Sequence, residues 1–235
     1  MSNSITTITY FRFPTLSGKF WALQQMQFAP PKLARVPGLR FFKLLGSGKD
    51  PGFSAVPDWS VYALLGVWDD ELAATTFFDT SEIMQAYVER SSEQWTIFMK
   101  VRQSKGMWSG SNPFETSSDL ALDNSLYAVI TRATIRPSQL LKFWRYVPTS
   151  QIPIQQGCEG LLFTKGIGEM PFLQMATFSL WTNIDALKQF AYQSKEHRVA
   201  IEKTHQHNWY SEELFARFQP YRTEGTWLGI QPLFQ

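Results

Sequence analysis

Cysteine occurs once in these 235 residues, at Cys158, so no intrachain disulfide can form and the fold must rest on packing. Long apolar runs are also missing. No stretch approaches the roughly 18 to 20 uninterrupted apolar residues that span a bilayer, which leaves only peripheral contact with a membrane. The start, MSNSITTITYFRF, has neither the basic head nor the apolar run of a secretory signal, and a cytoplasmic location is expected. Charge of one sign is scarce: 22 basic and 20 acidic residues, counted over the whole chain, are interspersed and give a net charge of +2. With no basic stripe to track a phosphate backbone, nucleic acid is not an expected partner. Familiar catalytic signatures are absent as well. There is no G-x-S-x-G elbow, no Walker lysine loop and no G-x-G-x-x-G after a strand; GSGKDPG at 46–52 lacks the spacing. Cys158 has no basic neighbour in sequence to lower its pKa and reads as inert.

What the chain has is apolar and aromatic material, 44% and 15%, ample for a packed core, and it has a repeat. PTLSGKFW at 14–21 matches PSQLLKFW at 137–144, and GLRFFKLLG at 38–46 matches GLLFTKGIG at 160–168. In the same order, YALLGVW at 62–68 answers MATFSLW at 175–181, and KGMWSGSNP at 105–113 answers EGTWLGIQP at 224–232. Between the copies lies SGSNPFETSSDLALDN. The chain divides accordingly into a first repeat over 1–108, a linker over 109–125 and a second repeat over 126–235.

Each repeat shows the same order of elements. β-rich runs stand at ITTITYFRF, LRFFKLL, VYALLGVW and WTIFMKV in the first, and at YAVITRATI, LLFTKGI, LQMATFSLW and LFARFQP in the second. Helical segments follow each first strand, over 15–29 and 138–146. Others follow each third strand, after WDDELAATTF and WTNIDALKQF, with acidic residues in the first turn as the helix dipole favours. This is β-α-β-β-α-β twice, the split βαβ or ferredoxin-like unit. A four-stranded sheet with helices on one face leaves the other bare. Two in one chain predict an α+β fold in which tandem ferredoxin-like units pack face to face as a pseudo-dimeric α+β barrel.

All three histidines, His197, His205 and His207, fall within SKEHRVAIEKTHQHNW at 194–209. As a helix over 195–206, the segment puts His197, Ala200, Ile201 and Thr204 on one inward stripe. His205 and His207 then lie about 80° to either side of His197, with His205 about 12 Å further along the axis, so the three do not converge on one metal. His197 has two readings, a core histidine bonded to a backbone carbonyl or the single axial ligand of a haem iron on an apolar wall. Aligning Trp95 with Trp209 sets Ile83 opposite His197, as expected of a site built once per chain.

Taken together, WALQQMQFA at 21–29, KLLGSG at 43–48, TRATIRP at 131–137, KGIGEMP at 165–171 and EELFARF at 212–218 resemble the spheroidene monooxygenases, acyclic carotenoid 2-ketolases. The resemblance runs in order from FRFP to GTWLG. It implies a haem-containing, O2- and ferredoxin-dependent monooxygenase that installs a keto group on a linear carotenoid, with fold kin that include haem-degrading monooxygenases and aldoxime dehydratases. It places His197, in HRVAI, at the family's helix histidine, and a histidine in the equivalent helix of haem-binding relatives is the proximal ligand. His205 and His207 have no such counterpart and read as surface variation.

Lys165 and its repeat partner Lys43 either snorkel from the barrel rim or, for Lys165, reach a haem propionate. Arg132 is the second candidate for an anionic partner. Trp21, Trp144, Trp181 and Trp209 read as core. The expected activity is haem-dependent oxygenation of a carotenoid-like substrate, with peripheral membrane contact although no amphipathic anchor helix is visible, and with homo-oligomerisation optional. Two alternatives stand beside it: another haem reaction on this fold, such as aldoxime dehydration or haem degradation, and a non-catalytic barrel that binds an apolar ligand.

Overall fold

The computed structural model describes residues 3–49, 54, 56–121, 126–150, 158–193 and 209–229. Eight antiparallel strands close into one barrel. They are β1 (Ile5–Arg12), β2 (Leu39–Gly48), β3 (Pro57–Trp68), β4 (Glu93–Gly106), β5 (Tyr127–Ile135), β6 (Leu161–Met170), β7 (Gln174–Trp181) and β8 (Tyr210–Gly225). Around the barrel the order is β1-β3-β2-β6-β7-β5-β8-β4. Each half therefore contributes a ferredoxin-like sheet, and the chain is the expected α+β barrel of tandem units. The two sheets join at unequal seams. β4 and β8 pair over a long ladder from Trp95↔Gly225 to Gly106↔Leu214, whereas β2 and β6 share only Gly46↔Gly168 and Ser47↔Ile167.

Among the described residues six α-helices accompany the barrel: α1 (Leu16–Phe28), α2 (Pro30–Leu33), α3 (Glu71–Thr80), α4 (Glu82–Arg90), α5 (Leu140–Ser150) and α6 (Ile184–Gln193). The expected helix over 15–29 starts one residue late because Thr15 is its cap, the side-chain oxygen accepting from Gly18 N at 3.1 Å. The second helix of each half begins earlier than the sequence reading placed it. Asp70 accepts from Ala73 N and Asn183 from Ala186 N, both at 2.8 Å, so α3 and α6 start inside WDDELAATTF and WTNIDALKQF. The proposed helix over 195–206 lies outside the described residues.

Alternation along the strands separates two faces. Ile8 and Tyr10 of β1, Val61, Ala63 and Leu65 of β3 and Ala128 and Ile130 of β5 point into the barrel, which is filled by side chains. Phe11, Tyr62, Leu64 and Phe98 point outward beneath the first half's helices. In the second half, α6 packs outside the barrel through Leu187 and Phe190 against Trp181.

The repeated Gly-Leu at the start of β2 and β6 has a steric cause. Gly38 and Gly160 have φ of +76° and +77°, and a Cβ on either would lie 2.5 Å from the Cβ of Ala73 or Ala186. Their carbonyls accept from Asp69 N and Thr182 N at 2.8 Å, tying each β2-type strand to the helix that follows β3 or β7. Gly38→Ala is expected to destabilise by about 2–4 kcal/mol, from the left-handed backbone together with overpacking, and urea unfolding checks it.

Candidate functional site

At the short β2·β6 seam the strands separate beneath α1 and leave an open cleft of about 190 Å³. Its walls are Leu23 and Met26 of α1, Trp59 and Tyr62 of β3, Met170 at the end of β6, Phe172 in the turn and Met175 of β7. Tyr62 and Met175 occupy matching positions in the repeat, so the two halves line one cleft with different chemistry. The Tyr62 hydroxyl is buried and has no hydrogen-bond partner, a lone polar group beside an apolar wall. Gly46 and Gly168 form part of the floor. A Cβ on Gly168 would meet Gln174 O at 2.6 Å, while one on Gly46 would meet only Gly168 O at 3.9 Å.

Two carboxylates reach the cleft, and both are engaged. Asp58 receives Lys165 Nζ at 3.0 Å and hydrogen bonds from Ser60. Burial raises its pKa, but the donors from Ser60 and Lys165 outweigh burial and hold it below the ordinary carboxylate value. Asp58 is therefore an acceptor at neutral pH and has no proton to give. Glu169 receives Lys43 Nζ, and its other oxygen accepts from Trp108 Nε1 at 2.7 Å.

Glu169 belongs also to a charged cluster at one mouth of the barrel. Arg132, 2% exposed, donates to Glu212 and stands 3.7 Å from Glu169, with its guanidinium 5.6 Å from the Trp108 ring. Glu212 accepts from Ser109 N at 3.1 Å and Gly110 N at 2.7 Å. The start of the linker is thus clamped over the barrel, with Trp108 and Phe114 buried in the barrel core. Downstream, Ser117 and Val101 exchange hydrogen bonds, and Gln219 bonds both the N–H and the carbonyl of Ala121. Trp227 closes the other mouth over Tyr10, with ring centroids 5.6 Å apart and Arg12 stacked on it.

The sequence candidates fall as follows. Lys165 lies on the inward strand face between Phe163 and Ile167, paired with Asp58, and Lys43 occupies the matching place on Glu169. Arg132 is held by Glu212. Lys165 and Arg132 each already have a carboxylate partner and stand on the sheet face opposite α6. His197, His205 and His207 lie outside the described residues. Ile83 packs against the first half's outer core. Trp181 and Trp209 are buried as expected, whereas Trp21 and Trp144 are half-buried, Trp144 donating to Phe172 O at 3.2 Å. Burial, then Glu159, raises the Cys158 thiol, as an inert cysteine requires. Sequence reasoning missed Trp108, Glu169 and Glu212; the matched tryptophans of KGMW and EGTW were the available signal. Among the described residues, no group of three or more His, Cys, Asp or Glu is placed to hold a metal ion.

The described residues thus form an α+β barrel of two ferredoxin-like units with a mostly apolar cleft at its seam. Aldoxime dehydratase shares the fold, with a TM-score of 0.62 at 11% identity over 92% of this chain and 81% of that one; a second, co-crystallised with butyraldoxime, gives 0.60 at 10% over 93% and 79%. No protein-family model matches the chain. Whole-chain relatives do. Spheroidene monooxygenase of Cereibacter sphaeroides is 34% identical over 97% of this chain and 70% of its own length, that of Rhodobacter capsulatus 32% over 97% and 95%, and that of Rubrivivax gelatinosus 34% over 82% and 73%. The chain belongs to the spheroidene monooxygenase family, and its activity class is that of a monooxygenase.

Proposed function

We propose that the chain oxidises an acyclic carotenoid, or an apolar chain like it, to a ketone, with haem as cofactor, O2 as co-substrate and a ferredoxin-type protein as electron donor. The observation that carries this reading is the seam cleft, a mostly apolar slot whose charged residues are all neutralised by partners. A linear polyene fits such a wall, on which, among the described lining residues, the Tyr62 hydroxyl is a buried donor in need of an acceptor. Haem would supply O2 activation, and the protein an axial ligand, an apolar slot and exclusion of water.

The described residues fit that cofactor in one respect and not in another. The second half's outer face offers an apolar wall from Ile135, Phe143, Met175 and Trp209. Lys165 and Arg132, by contrast, are committed to Asp58 and Glu212, so a propionate would have to displace a carboxylate from either. His197 carries the ligand assignment alone.

The test uses Gly46→Phe. Its backbone φ is not in the left-handed region and a Cβ there would meet only Gly168 O, at an ordinary 3.9 Å, so the ring fills the cleft without straining the strand. Cells supplying a linear carotenoid should form the keto product with the wild-type chain, and below about a tenth as much with the variant, a loss of about 1.4 kcal/mol or more of transition-state stabilisation. The Soret band of the purified variant should be unchanged. Absence of a Soret band in the wild-type protein would favour the apolar-ligand-binding barrel, and unchanged ketone formation by Gly46→Phe would move the substrate elsewhere.

A further inference from the structure

α1 is apolar on two sides. Gly18 and Ala22 pack inward, yet Leu16, Phe20 and Leu23, spaced i, i+4, i+7, are 84%, 63% and 44% exposed. Leu23 is at once the end of this stripe and a wall of the seam cleft, whose rim continues through Trp59, Met170 and Phe172, each about half exposed. Apolar side chains pointing outward on one helix and running into a cleft mouth form a patch, not a scatter of single residues.

The segment that carries the patch is one-sided in charge. Seven of the 22 basic residues, and none of the 20 acidic ones, precede Asp50, and of the seven Arg12, Arg40 and Lys43 are paired with carboxylates from later in the chain. Counting charge over the whole chain conceals this. Lys32 and Arg35, just after α1, are exposed, and so is Lys49, next to the cleft-lining Gly48. The cleft's own carboxylates, Asp58 and Glu169, are neutralised by Lys165 and Lys43. Exposed apolar side chains on a segment that also carries the exposed cations Lys32, Arg35 and Lys49 match an anionic bilayer, where the apolar groups enter the acyl boundary and the cations meet headgroup phosphates.

We propose that the outer face of α1, with the rim of the seam cleft, is a docking surface for an anionic lipid bilayer, seating the cleft mouth on the membrane. This deepens the reading of the cleft as a slot for an apolar chain, because a polyene would pass from lipid to cleft without crossing water.

The experiment is co-sedimentation of the purified full chain with phosphatidylglycerol/phosphatidylcholine vesicles and with phosphatidylcholine vesicles. The wild type should bind the anionic vesicles at least about tenfold more tightly, each basic residue at the surface contributing about 1 kcal/mol. Leu16→Ser/Phe20→Ser and Lys32→Glu/Arg35→Glu should each weaken that binding about tenfold or more, with far-UV circular dichroism unchanged because all four side chains lie on the outside. Leu72→Ser, an exposed leucine on α3, should bind as wild type. No binding by the wild type, or undiminished binding by Leu16→Ser/Phe20→Ser, would overturn the proposal. So would a concentration-dependent dimer, seen by light scattering, that the α1 variant abolishes without any vesicle binding, since the patch would then belong to a second copy. Lipid binding is read without substrate. Failure there with ketone formation retained in detergent removes this inference alone, and binding without ketone formation removes only the catalytic reading.

Discussion

His197→Ala is expected to lose tightly bound haem, and with it ketone formation falls to background. Removing a supporting group around a metal ligand typically costs about 10–100-fold in affinity or activity, and loss of the one protein bond to iron proposed for this chain should exceed that. Alanine is well tolerated in a helix, so the variant should still fold, which circular dichroism would show. His205→Gln/His207→Gln should keep the Soret band, because on the helix expected from sequence over 195–206 neither side chain would share the stripe of His197. The measurement is haem content per chain beside ketone yield in cells given a linear carotenoid, with one haem per chain for the wild type because the first repeat has Ile83 at the matching position. Haem retained at wild-type affinity in His197→Ala would end the assignment. Normal haem with no carotenoid oxidised, despite a working reductant, would keep the ligand and favour another haem reaction on this barrel.

The strands were legible because alternation and β-branched residues are local properties. ITTITYFRF puts Ile8 and Tyr10 on one face and Phe11 on the other, and the barrel uses that division. Helix starts were misplaced where a cap decides, since Asp70 and Asn183 act through backbone geometry that periodicity does not report. The packing at the start of the linker was not legible for a different reason. Its average polarity gives no sign that Phe114 is buried in the barrel core beside Trp108, where two long-range carboxylates, Glu169 and Glu212, hold this part of the chain. The cleft was not legible at all. It exists because β2 and β6, 120 or so residues apart, pair over only two positions, and no local pattern encodes where a ladder stops. The α1 surface was hidden by its own composition: apolar residues on both faces cancel in any search for amphipathicity, although the absence of acids before Asp50 was open to a segment-by-segment count.

Arg132→Met is expected to destabilise the fold by about 3 kcal/mol, the lower end of the range for removing one partner of a buried ion pair, because Glu212 and Glu169 keep about a fifth of their side chains in water. The methionine fills the space but leaves Glu212 with two backbone donors and no counter-charge. Arg132→Met/Glu212→Gln should be more stable than Arg132→Met, since a neutral amide oxygen still accepts from Ser109 N or Gly110 N and strands no charge. The pH dependence has a definite sign. Burial pushes the Glu212 pKa up, but the N–H groups of Gly110 and Ser109 and the Arg132 guanidinium outweigh it, so the folded value lies below the unfolded one. Its contribution is therefore present above the ordinary glutamate range, near pH 4.3, and is lost as pH falls through the folded value. Taking away Arg132 shrinks that depression, so the gap between wild type and Arg132→Met should hold near neutral pH and narrow on acidification from about pH 5 to below the folded value. Urea unfolding across that interval measures it, and a gap that stays constant with pH would mean the arginine acts by packing over Trp108 and not through charge. Haem content decides the remaining role. A variant that keeps its stability and loses haem would return Arg132 to the cofactor, whereas one that loses stability while the folded fraction still binds haem normally makes the arginine a clamp that fixes Trp108 over the barrel and Glu169 at the wall of the cleft.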